Sequence, residues 1–76
     1  MNKELYILLE TTCLADIAKA KMSLYLLGEK SAGIGDHSTG DFYKNADEAL
    51  TNLAEAQDKL ACLKENYPLN LTASLI

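Results

Sequence analysis

The 76-residue chain contains no arginine, and its seven lysines are outnumbered by eleven acidic residues, for a net charge of −4. Surfaces that track nucleic acid need clustered Lys and Arg to displace counterions from phosphate. Here Lys19, Lys21 and Lys30 are interleaved with Asp16 and Glu29, so no nucleic-acid partner is expected. Mimicry of DNA would need a denser acidic face than this sequence carries.

Long apolar runs are also missing. No stretch approaches the ~18 residues that would span a bilayer, and no basic start leads into a small-residue cleavage site. The expectation is a cytoplasmic protein without a membrane partner. Asn70-Leu71-Thr72 fits the glycosylation triplet, but without an export signal the match carries no weight.

The chain has two cysteines, Cys13 and Cys62. If Leu27 lies opposite Phe42 and Tyr6 opposite Leu63, the cysteines miss that register by about six residues at ~1.5 Å of rise each, shared between two helices. Disulfide geometry cannot bridge such an offset, so both read as reduced core thiols.

What the sequence does contain is helical periodicity. From Lys3 to about Lys30, apolar side chains recur at Tyr6, Leu9, Cys13, Ile17, Ala20, Leu24 and Leu27, a seam of the coiled-coil kind. A second strip, Ile7, Leu14, Ala18, Met22 and Tyr25, with Leu8, Ala15 and Leu26 on its flank, runs along the same helix. A second helix, from about residue 41 to 66, repeats Phe42, Ala46, Ala49, Leu53, Ala56, Leu60, Leu63 and Tyr67 in alternating steps of four and three. Leu50, Ala54 and Ala61 widen that face, and the alanines permit close helix approach.

Residues 31–41 separate the helices and hold three of the four glycines and the only histidine. Ser38, Thr39 and Asp41 are good N-cap residues, and the single proline, Pro68, holds Tyr67 out of helical conformation. Residues 1–68 therefore form an all-α antiparallel hairpin, followed by a tail over 69–76. Chains this short seldom build a sufficient core without a disulfide, a metal or oligomerisation. One partner helix cannot cover both strips of the first helix, so self-association is expected: a homodimeric four-helix bundle, the commonest kind of closure. Its interface would use Ile7, Leu14, Ala18, Met22 and Tyr25, and a further protein partner is allowed for.

Candidate chemistry is sparse. Gly35 and Gly40 invite a phosphate reading at a helix N-terminus, yet Asp41-Phe42 follows where a Walker loop needs Lys and then Ser or Thr; a capped connection accounts for the same residues. His37, between Asp36 and Ser38, suits a general base or metal ligand, but a closed zinc site wants about four ligands, so no metal and no cofactor is expected. Glu55 and Asp58 lie one turn apart, as on one helix of magnesium-dependent all-α nucleotide pyrophosphatases. The facing helix offers only the widely spaced Glu4, Glu10 and Asp16, half of that constellation at best. No catalytic residue is assigned. A small nucleotide held by an oligomer is the alternative function: Lys19, Lys21, Gly35, His37, Ser38 and Thr39 would bind it, with Tyr6, Tyr25 and Tyr43 supplying rings. A degenerate metal-dependent nucleotide hydrolase ranks third.

The turn Gly33-Ile-Gly-Asp-His-Ser38, followed by Ala-Asp-Glu-Ala-Leu50 and Ala-Gln-Asp-Lys-Leu60, resembles small uncharacterised helical proteins of tailed bacteriophages, cyanophage-like ones included, over about residues 20–65. Some small helical phage proteins bind host defence proteins or sequester cyclic nucleotides as oligomers. The resemblance implies a host-directed, non-enzymatic interaction role and assigns no site residue.

Overall fold

The computed structural model describes residues 1–30 and 39–68, which form two α-helices, α1 (Lys3–Lys30) and α2 (Thr39–Asn66), with no strand among the described residues. Each has 28 residues and is about 42 Å long at 1.5 Å per residue. They pack along one another as a hairpin.

Local chemistry explains the ends. Asn2 caps α1, its Oδ1 accepting the Leu5 backbone N–H at 2.8 Å, while Glu4 in the first turn complements the positive end of the helix dipole. α2 begins at Thr39, two residues earlier than the sequence pattern suggests, with Asp41 in its first turn. Its last turn closes when Tyr67 N–H donates to the Leu63 carbonyl at 2.9 Å, and Pro68 prevents continuation. Asn66 Nδ2 also donates to the Cys62 carbonyl at 2.8 Å, folding its side chain back along the last turn.

The core is a narrow line. Writing the helices as heptads abcdefg, Tyr6, Cys13 and Ala20 on α1 and Ala49, Ala56 and Leu63 on α2 are buried, all at d. The buried residues recur every seven along each helix, a spacing compatible with the antiparallel pairs Tyr6/Leu63, Cys13/Ala56 and Ala20/Ala49. Four of these six residues are Ala or Cys. Ile17, Leu24, Ala46, Leu53 and Leu60, at a, are half-buried. The small d residues let the helices close along one edge, while the larger a residues stand partly open along the other.

Three expectations need correction. Leu9 is not in the seam: it is 38% exposed, and the half-buried neighbour is Glu10. Apolarity selects Leu9, but the alternation of four and three steps from Tyr6 to Cys13 runs through residue 10. Cys62 is not a core thiol; it is exposed one position before Leu63, while Cys13 is buried, and both are free. Tyr67 lies beyond the end of α2 and is exposed rather than packed in the seam.

Candidate interaction surface

The hairpin has two unlike faces, and the heptad positions sort them. On one side the c, d and g positions of both helices line an open groove of about 620 Å³. Ala20, Leu27, Ala49 and Ala56 floor it, and Asp16, Lys19, Ser23, Asn45, Glu48, Asn52, Glu55 and Lys59 form its polar walls. Leu26 belongs to this side, away from the apolar strip it was expected to flank. Lys19 approaches Asp16 at 4.0 Å across one turn, and both groups are well exposed, so the pair contributes little stability. With Asp16, Glu48 and Glu55 set against Lys19 and Lys59, the groove repels rather than collects phosphate.

On the other side lie the a, e and b positions of both helices. Leu14 is 49%, Tyr25 62%, Tyr43 66% and Leu50 56% exposed, and Ile7, Ala18, Ala54 and Ala61 are exposed beside them. The half-buried Ile17, Leu24, Leu53 and Leu60 lie between the two rows. Even the hydroxyl of Thr11 is turned inward, donating to the Ile7 carbonyl at 2.8 Å and so satisfied by its own helix. A face spanning two helices with this many exposed large apolar side chains, interrupted by Glu10, Thr11, Lys21, Asp47 and Gln57, is of the kind that marks interaction sites. Fully burying one Leu or Ile side chain stabilises by about 1.5–3 kcal/mol, so covering this face outweighs any ion pair on the hairpin.

The residues anticipated at an oligomer contact, Ile7, Leu14, Ala18, Met22 and Tyr25, are all exposed in the single hairpin, with Met22 behind the rest on the outer edge of α1. The same side of the hairpin also exposes Tyr43 and Leu50 of α2, which the sequence reading did not place there. Tyr43 and Leu50 were legible in the sequence as a pair seven residues apart, but the stronger seam beside them absorbed Leu50 into the intrachain face.

The residues considered for a ligand do not converge. Lys19 is on the groove wall, whereas Lys21, two residues on, is turned about 200° around the helix toward the apolar face. Tyr6 is 4% exposed, its ring committed to the core. Gly35, His37 and Ser38 lie outside the described residues, as does the side chain of Thr39. Glu55 lines the groove but Asp58 does not, and among the described residues no three His, Cys, Asp or Glu side chains could hold one metal ion. No described helix is long and apolar enough to cross a membrane.

Comparison with protein-family models, curated proteins and solved structures gave no match for this chain.

Proposed function

We propose that this chain is a non-enzymatic, self-associating interaction protein of the cytoplasm, working as a homodimeric four-helix bundle. One observation carries the reading: the a, e and b positions of both helices gather exposed apolar side chains on one face, among them Leu14, Tyr25, Tyr43 and Leu50, each about half or more exposed in the isolated hairpin, with the charged Glu4, Lys21, Asp47 and Lys64 set among them. A second hairpin presents the same length and the same kind of surface, and two-fold closure buries both copies at once. The polar groove then faces outward on each side of the bundle, a surface for a further protein. The likeness of the 33–38 turn to small helical phage proteins makes a host protein the first partner to seek.

Light scattering behind size exclusion over a concentration series tests this, run with and without EDTA and with and without a pool of cyclic nucleotides. The expected result is a dimer indifferent to both additions. A species that melts higher with nucleotide would replace this reading with ligand sequestration, since a ligand binding only the folded form raises its stability by mass action. A monomer at every concentration would overturn it.

A further inference from the structure

The apolar face is patterned as well as apolar. Its central line on α1 is the alternation of b and e positions, Glu4, Ile7, Thr11, Leu14, Ala18, Lys21 and Tyr25, advancing in steps of 3, 4, 3, 4, 3 and 4. The corresponding line on α2, read backwards from Lys64 through Ala61, Gln57, Ala54, Leu50 and Asp47 to Tyr43, has the same order of steps. Two such helices laid antiparallel stay level through seven layers, over about 32 Å.

Each layer is also matched in kind. Large meets small at Ile7/Ala61, Leu14/Ala54 and Ala18/Leu50, the alternation that lets facing layers interdigitate without voids. Opposite charges meet at Lys21/Asp47 and Glu4/Lys64. The remaining layers set Thr11 against Gln57 and the Tyr25 ring against the Tyr43 ring. Within one hairpin these residues turn outward beside the seam, and neither Lys21 nor Asp47 makes an ion pair among the described residues. The matching therefore serves a contact between chains.

We infer that the occupant of this face is a second copy of the chain, seated with its α2 on α1 and its α1 on α2 about a two-fold axis parallel to the helices, in the register that puts Lys21 opposite Asp47 and Leu14 opposite Ala54 of the partner. This rests on the dimer reading above and adds the pairing and orientation. Both copies point the same way, so the C-terminal end of α1 and the N-terminal end of α2 from both chains gather at one end of the bundle. The competing arrangement, α1 antiparallel on α1, sets Leu14 against Ala18 and Thr11 against Lys21 when the helices overlap fully; Glu4 meets Lys21 only after a shift of one heptad, which leaves the last two turns of each α1, Tyr25 included, without a partner helix.

Two measurements on the full chain decide it. In a Cys62→Ser background, Ala18→Cys and Leu50→Cys proteins are mixed and oxidised with diamide. A covalent heterodimer that neither variant forms alone is the expected result. Crosslinking of Leu14→Cys with Ala18→Cys instead would overturn the pairing while leaving the dimer intact.

Charge reversal provides the second readout. Lys21→Glu and Asp47→Lys should each weaken dimerisation about tenfold or more, because each sets like charges face to face in a layer being desolvated. The double variant K21E/D47K should recover most of the loss. Both positions are exposed in the hairpin, so at concentrations where each protein is dimeric its helicity by circular dichroism should match that of the wild type. A dimer in which the double variant is no better than the singles overturns the register alone, whereas a wild-type monomer at all concentrations removes the dimer and the register together.

Discussion

Ala20 of α1 and Ala49 of α2 are each 5% exposed and line the floor of the same polar groove, one from each helix. Both side chains are small, and their burial leaves little room for a larger one against the neighbouring helix.

Enlarging this layer should therefore loosen the whole hairpin. Ala49→Leu adds volume where the neighbouring helix already closes, and overpacking of this kind costs about 1–3 kcal/mol. Thermal unfolding should show a fall in melting temperature even though a leucine has replaced an alanine at an apolar position. An unchanged or raised melting temperature would mean the helices are not close-packed at Ala20 and Ala49.

At the far end of the same line, Leu63 is buried opposite Tyr6. Leu63→Ala removes a large member of a core otherwise made of small residues, and truncations of this sort cost about 2–5 kcal/mol. The loss should appear at constant protein concentration by chemical denaturation. Leu9→Ala, outside the seam, should cost much less, and equal losses for the two would restore Leu9 to the core.

Glu10 occupies an a position, half-buried, where the pattern elsewhere on α1 places Ile17 and Leu24. Glu10→Leu replaces a half-buried acidic side chain with one that extends the apolar row, and should stabilise by about 1 kcal/mol or more. If the melting temperature drops instead, Glu10 has a polar partner that matters more than its burial.

Asn2 caps the start of α1, its Oδ1 2.8 Å from Leu5 N. Asn2→Ala should cost about 0.5–2 kcal/mol. Amide hydrogen exchange should localise the effect to the first turn of α1, and exchange that accelerates uniformly along both helices would contradict a capping role.

The two helices and their approximate lengths could be read from the sequence, because a 3.5-residue repeat of apolar side chains is a local property that survives without coordinates. So could the stop at Pro68. Periodicity decided less well where two choices differ by one residue: Leu9 and Glu10 are adjacent, hydropathy favours one and the step pattern the other, and only the packed hairpin showed that Glu10 is turned inward. Cys62 beside Leu63 is the same case.

The division into a polar groove and an apolar face belongs to the tertiary structure. Each helix alone presents several apolar lines at different angles, and α1 is apolar nearly all round, so its sequence cannot say which line meets α2. Once Tyr6, Cys13 and Ala20 are committed to that contact, the angle of every other residue follows. Lys19 and Lys21, close in sequence, are thereby sent to opposite sides, and Leu14 and Leu50, far apart in sequence, are brought to one surface.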